Sequence, residues 1–418
     1  MTRLKKFWRS LGPGLVTGAS DDDPSGLATY AIAGAKAGNA TLWTMLYSMP
    51  LMIALQEMSA RIGITSGCGL TGNIKRYYPK YLLVTVASII VICNIFNIGA
   101  DVSGMAAAVN LLFPSFNKLT APFLILLILI LTIVLPYRKI TNIFKWLSLS
   151  LGVYIIAGIF TIDNWFSVIY HTLIPTIKFS KEYGVLLLAI MGTTISPYLA
   201  VWQASEEAEE RKIKDKLNPN ICEFRTVTRN ELIHANKDTA FGMIFSNIIA
   251  LFIIALTSSV LFNAGIKNIE TIKDAAQALR PIAGQYAYAL FTLGIVSSGL
   301  LAIPILAGSA AYVVAEVFGW EASLDKPFSK ARQFYLVILF SALVGLLLTY
   351  SGLSPIKALF YTAILQGLVG PILIGTIIHM ANNPKIVGQN KNSTLANIFG
   401  YATMLLMTAG SIIFFMTL

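Results

Sequence analysis

Two short stretches hold residue types able to do chemistry where the surrounding sequence is apolar. Asp21-Asp22-Asp23-Pro24-Ser25-Gly26 places three carboxylates, a proline and a glycine inside the run LGPGLVTGASDDDPSGLATYAIAGAKAG. Thr193-Thr194-Ile195-Ser196-Pro197-Tyr198 gathers hydroxyls around a second proline, 173 residues after the first. Proline removes a backbone donor and clashes with the preceding turn, and glycine accepts the backbone angles of an unwound segment. Both stretches are therefore expected to break a helix and to free carbonyl oxygens. Carboxylates, hydroxyls and carbonyls, with no Met, Cys or His in either break, form an oxygen-only donor set suited to a hard cation. Magnesium, which keeps several of its waters, fits best and manganese next, whereas iron, zinc and copper usually recruit nitrogen or sulfur.

Asp23 ranks first as the anionic ligand because it directly precedes the proline. Thr193, Ser196 and Tyr198 complete the expected site through side chains, carbonyls or bridging waters, and Thr194 stands beside them. Successive helical positions point about 100° apart, so the three acids cannot all address one point. For Asp21 and Asp22 three roles stay open: facing a watery vestibule, pairing with a base, or helping to hold a hydrated ion. A structural kink is the plain alternative for either proline, but two breaks at matching positions outweigh it.

The elements that must position these breaks are membrane helices. Of 418 residues, 56% are hydrophobic and 12% charged, and the mean hydropathy is +0.70. A membrane span needs roughly 20 mostly apolar residues. Eleven candidate spans lie near 11–36, 43–62, 81–112, 120–136, 145–162, 184–204, 241–263, 285–317, 333–350, 355–380 and 394–417. The fold class expected is an all-α integral membrane protein, with no room for a separate soluble enzyme. The first segment carries acids at its centre and no small-x-small cleavage site, so it reads as a retained helix.

Each break falls in the first helix of a block of five spans. An odd-membered block re-enters the membrane upside down, so repeat one (about 11–165) and repeat two (about 184–382) are expected to be inverted, with helix 11 (about 394–417) appended. Broken helices at corresponding places in inverted halves point to a transporter's central site.

With eleven spans and the N-terminus inside, the 31 Lys and Arg divide 23 inside to 8 outside. That bias puts the N-terminus in the cytoplasm and the C-terminus outside the cell membrane. The basic balance, pI about 9.4, then reflects orientation and anionic lipid, and no nucleic-acid partner is implied. Cys68, Cys93 and Cys222 are scattered and are read as ordinary small apolar residues without a disulfide framework. In the connection 205–240, the pairs Glu207/Arg211 and Glu210/Lys214 suggest a solvated surface helix. The lesser alternative makes Glu206, Glu207, Glu209 and Glu210 an acidic mouth for cations.

The sequence resembles the Nramp superfamily of divalent-metal transporters. The likeness rests on GPGLVTGASDDDPSG in span one, LQEMSARIGITSG near the end of span two, ADVSGMAAAVNLLF in span three and the broken sixth span. It implies a LeuT-type fold of 11 transmembrane helices in an inverted 5+5 repeat, with helices 1 and 6 broken. Departures from the family pattern are informative. Ordinary members read Asp-Pro-Gly-Asn at the first break, so here Gly26 replaces an amide ligand. Their Met-Pro-His at the second break becomes Ser196-Pro197-Tyr198, and Thr193 stands where they have alanine. This combination resembles the Nramp-related magnesium transporters, which implies Mg²⁺ and Mn²⁺ carried down their gradients with a wider, hydrated-ion site and no coupled protons.

The residues support the last point independently. None of His171, His234 and His379 lies in the sixth span, and Ile98 occupies a span-three position where proton-coupled members carry an acid. Asp101 is then the only acid of that helix, with a structural role favoured, and Glu57 either pairs with Arg61 or lines an inner vestibule. From span ten, any contribution is expected from Tyr361 or Thr362, with Ala363 at the family's glutamine position and Gln366 in helix packing.

The expected function is import of Mg²⁺, and also Mn²⁺, by alternating access, with no enzymatic chemistry and no cofactor apart from the transported ion. The membrane potential would supply about 4.6 kcal/mol per 100 mV to a doubly charged ion, twice the single-charge value. The expected partners are the metal ion and the bilayer, with oligomeric state left open. The competing readings are a proton-coupled Mn²⁺/Fe²⁺ symporter, an amino-acid carrier on the same fold and a receptor that retains a metal site.

Overall fold

A computed structural model describes residues 17–18, 20–135, 147, 149–215, 222, 224 and 227–416. The start of the first expected span and the basic residues Arg3, Lys5, Lys6, Arg9, Arg138, Lys139, Lys145, Lys216 and Arg225 lie outside the described residues. Among the described residues all regular structure is helical. The principal helices are α1 (Pro24–Ala37), α2 (Trp43–Ser66), α3 (Leu70–Tyr77), α4 (Lys80–Leu112), α5 (Thr120–Val134), α6 (Gly152–Thr161) and α7 (Trp165–Leu173). There follow α8 (Lys181–Thr194), α9 (Pro197–Asp215), α10 (Arg229–Thr257), α11 (Ala287–Phe318), α12 (Arg332–Leu348), α13 (Pro355–Asn382) and α14 (Thr394–Phe415).

Six described segments are long and apolar enough to cross a membrane, one of them uniting α8 and α9. Past the expected fifth span the chain turns sharply, α6 and α7 meeting at 119°. α5 and α12 are apolar but shorter.

Both expected breaks form, and the reason is local. Pro50, Pro304 and Pro371 sit inside continuous helices α2, α11 and α13. Pro24 and Pro197 instead open new helices, at the position where a missing N–H costs nothing. Asp23 is extended at φ −67°, ψ 169°, and its carboxylate caps α1 by accepting from Gly26 N. Ile195 leaves the helical region at φ −111°, ψ 57°, ending α8. An acidic cap before Pro24 and a departing backbone before Pro197 convert tolerated prolines into breaks.

The two breaks are buried by close packing. α1 lies against α10 and α13, α9 against α2 and α11, and α4 against α11 and α13. Gly192 on α8 faces the backbone of Ala363 and Gly367 on α13, leaving no room for a side chain. α14 rests on α13 and α8 and is mostly exposed.

Three expectations are corrected. Cys68 and Cys222 form a disulfide with Cα atoms 5.3 Å apart, because the fold brings the α2–α3 turn to the segment after α9. Cys93 is a buried free thiol. The charge run on α9 is not a solvated face: Glu206 and Glu207 are buried, and Glu209 accepts from the hydroxyls of Tyr312 and Ser323. Neither expected i,i+4 pair forms among the described residues; Arg211 lies 3.7 Å from Asp215 and donates to the carbonyls of Ile64 and Thr65, while Lys214 lies 3.9 Å from Glu231.

Candidate metal site at the paired helix breaks

The first break brings Asp21, Asp22 and Asp23 into the protein interior, each at most 1% exposed. Asp23 Oδ1 accepts from Ser25 Oγ and Gly26 N, both at 2.7 Å. Its Oδ2 accepts from Asn97 Nδ2 of α4 at 2.8 Å. Three donors leave part of the carboxylate's acceptor capacity open. Asn97 Oδ1 has no hydrogen-bond partner among the described residues, and neither carboxylate oxygen of Asp101, one turn further along α4, has one. Asn97 and Asp101 are both fully buried.

Across from Asp23 stands the end of α8. The hydroxyl of Thr193 is buried and without a partner among the described residues. Gly26 lies between the two, since a Cβ built on it would sit 3.1 Å from Thr193 Oγ1 and 3.4 Å from Asp23 Oδ1. The absence of a side chain at Gly26 thus keeps open the space that Asp23 and Thr193 flank.

The remaining expected residues divide around this centre. Ser196 Oγ donates to Thr193 O and is 3.5 Å from Asp21 Oδ1. Tyr198 donates its hydroxyl to Ser20 O at 2.9 Å, joining the two breaks directly. Thr194 faces Tyr30, with hydroxyls 3.0 Å apart. Asp21 and Asp22 turn toward α10, where Ser246 Oγ is 2.8 Å from Asp21 Oδ2 and 3.2 Å from Asp22 Oδ1. Asp22 Oδ2 has no partner among the described residues.

Two expectations place groups away from the breaks. Glu57 makes no ion pair with Arg61, whose guanidinium instead donates to Asn392 Oδ1 at 2.9 Å. Tyr361 is 53% exposed, and Thr362 spends its hydroxyl on Leu359 O. The α13 group that does approach the second break is Gln366, which shares a small pocket with Asn94, Pro197 and Tyr198.

Sequence reasoning placed Asn97 one turn before Asp101 without giving its amide a role, and it missed Ser246. The period of α4 held a signal for Asn97, which lies one turn from Asp101 on the same face. Ser246 sits in an ordinary apolar span and carries no such signal.

Electrostatically the centre is one-sided. Four carboxylates are buried, and none makes an ion pair among the described residues. An isolated buried carboxylate is costly, so the arrangement calls for positive charge or protons. Among the described residues no three His, Cys, Asp or Glu side chains converge tightly enough to clasp a bare ion.

Comparison with known proteins gives the family. A family model described as natural resistance-associated macrophage protein-like (Nramp) matches residues 14–417. This chain belongs to the Nramp family. Among its relatives is a divalent metal cation transporter MntH of Caldanaerobacter subterraneus, 23% identical over 408 residues, covering 95% of this chain and 90% of that protein. A Staphylococcus aureus protein of the same name is 26% identical over 316 residues, covering 72% of this chain and 66% of its own. In structure, this Nramp chain resembles the Eremococcus coleocola manganese transporter, with TM-score 0.74, 18% identity and coverage of 99% and 88% of the two chains. It also resembles Mhp1, a nucleobase-cation-symport-1 family transporter, in a closed conformation, with TM-score 0.59, 13% identity and coverage of 96% and 92%. The Nramp fold, with the LeuT-type architecture that the family resemblance implied, is thereby established.

Proposed function

We propose that this Nramp protein is a divalent metal cation carrier of the cell membrane that moves Mg²⁺ and Mn²⁺ without coupled protons. The observation that carries the reading is the buried oxygen set between the breaks: Asn97 Oδ1, Asp101 and Thr193 Oγ1, without hydrogen-bond partners among the described residues, together with the Asp23 carboxylate, which flanks the space left by Gly26 with Thr193. Family membership and relatives named divalent metal cation transporters support the substrate class. The oxygen-only chemistry supports a hard ion over iron or zinc, and the room beside Gly26 supports one that keeps water.

In this reading Asp23 supplies the principal charge, and Thr193 and the freed carbonyls complete the first coordination or hydration layer. Ser196 and Tyr198 act mainly by joining the breaks, while Asp21 and Asp22, immediately before Asp23, add negative potential. The two inverted repeats rock about the site, with the N-terminus cytoplasmic and α14 outside the moving unit. No bond is made or broken in the cargo, so the protein is not an enzyme and needs no resident cofactor.

Uptake of Mg²⁺ and Mn²⁺ into proteoliposomes tests the reading, with internal pH followed in the same vesicles. Wild type is expected to accumulate both ions at constant internal pH, and Asp23→Ala to accumulate neither. Equal uptake by Asp23→Ala sinks the site. A specific observation favours one competitor, a proton-coupled carrier: Asp101 keeps both oxygens unpartnered close to Asp23. Metal-dependent acidification that disappears in Asp101→Asn would establish that alternative.

A further inference from the structure

We propose that Cys68 and Cys222 are a thiol–disulfide modification site that tethers the two walls of the inner cavity and slows transport when oxidised. The effect on transport rests on the carrier reading above; the pairing and the tether do not.

Both cysteines line one cavity of about 610 Å³, Cys68 from the turn between α2 and α3 and Cys222 from the segment after α9. Cys68 lies in the turn before α3, and that helix is fixed to α11. The carboxylate of Glu316 on α11 accepts from Gly69 N at 2.6 Å, Thr71 Oγ1 at 2.5 Å and Gly72 N at 2.8 Å. These bonds hold the turn that carries Cys68 to α11, while Arg211 of α9 donates to Ile64 O and Thr65 O just before it. Cys222 follows α9, whose Ser205, Glu209 and Lys212 form the facing wall. The Cα separation of 5.3 Å suits a disulfide, and the bond spans 154 residues of chain. Arg76 NH1 holds the same segment through Cys222 O at 2.8 Å. α9 begins at the second break, where Tyr198 contacts Ser20. A tether across the cavity thus restrains the lower half of the broken span that borders the metal site.

The chemistry is thiol–disulfide exchange with a low-molecular-weight thiol such as glutathione. Cys222 is partly exposed in the cavity and Cys68 is 6% exposed, so the first attack falls on Cys222 Sγ. A small thiolate attacks that sulfur, forming a mixed disulfide and releasing Cys68 as thiolate. A second small thiolate resolves it, leaving two protein thiols after proton uptake and one small disulfide. Two electrons and two protons pass to the protein; oxidation by the small disulfide reverses each step. The bias of positive charge assigns this face to the cytoplasm, where thiols are kept reduced. The bond is then a conditional state there. Cys93 is buried and outside this cavity, which makes it an internal control.

The test uses the full chain, treated in detergent with reduced glutathione or glutathione disulfide and then reconstituted. Non-reducing peptide mapping is expected to find the 68–222 crosslink only after oxidation. Amide hydrogen exchange along residues 205–215 is expected to be at least about fivefold slower in the oxidised protein. Mn²⁺ uptake is expected to fall at least about fivefold on oxidation in wild type, and to be the same under both treatments in Cys68→Ser and Cys222→Ser. Absence of the crosslink overturns the pairing. A crosslink with unchanged exchange and unchanged uptake overturns the tether. If the reduced protein moves no metal, the carrier reading fails, and mapping with exchange still decides the site.

Discussion

Asn97 donates its amide to Asp23 Oδ2 at 2.8 Å while its own carbonyl oxygen, equally buried, has no partner among the described residues. One side chain thus steadies the principal carboxylate and offers a further oxygen to the space beside it. A hydrogen bond to a charged group is worth about 1.5–3 kcal/mol. Asn97→Ala is therefore expected to weaken Mn²⁺ binding by about 10- to 100-fold, read by isothermal titration. Unchanged affinity would remove α4 from the site.

Gly26 sets the width of the site. A Cβ there would meet Thr193 Oγ1 at 3.1 Å, Asp21 O at 3.3 Å and Asp23 Oδ1 at 3.4 Å. Those contacts are tight without being prohibitive, so Gly26→Ala is expected to fold and to lose room for water. Mg²⁺ gives up water reluctantly. Its uptake is expected to fall about tenfold, a change of about 1.4 kcal/mol, with a smaller loss for Mn²⁺. Competition between the two ions in one vesicle preparation measures the ratio, and an unchanged ratio would show that Gly26 does not set selectivity.

The breaks were legible because proline position and an acidic cap are local features: Asp23 before Pro24 and Ser196 before Pro197 act within one turn. The partners of those breaks were not. Ser246 and Gln366 reach the centre through the packing of α10 and α13, which no local pattern encodes. The burial of Glu206 and Glu207 also escaped the sequence. The i,i+4 spacing of Glu207 with Arg211 and of Glu210 with Lys214 suggests a surface, but α2 and α11 cover that face and the basic residues find partners elsewhere. Cys68 and Cys222, 154 residues apart, meet because the C-terminal ends of α2 and α9 are adjacent.

Ser246 presents one hydroxyl proton to two carboxylates, Asp21 at 2.8 Å and Asp22 at 3.2 Å. It can satisfy one of them at a time. Ser246→Ala leaves the pair without that donor in a dry interior, a cost of about 1–3 kcal/mol. A lowered thermal midpoint is expected in metal-free buffer, with Ser246→Thr retaining the midpoint of wild type. Equal midpoints for Ala and wild type would mean that neither acid depends on α10.

Glu316 ties α11 to α3 by accepting from two backbone N–H groups and the Thr71 hydroxyl. The N-terminus of α3 is a concavity of donors, and an ionised carboxylate from α11 fills it. Glu316→Gln keeps the shape but removes the charge and one acceptor, so a destabilisation of about 1.5–3 kcal/mol is expected. Thr71→Val removes a single donor and should cost less. If charge at Glu316 is what binds α3 to α11, the double variant should lose less than the sum of the two single losses, by about 0.5–3 kcal/mol for groups in contact. Thermal unfolding of the four proteins measures this coupling, and additive losses would show that α3 is held by packing alone.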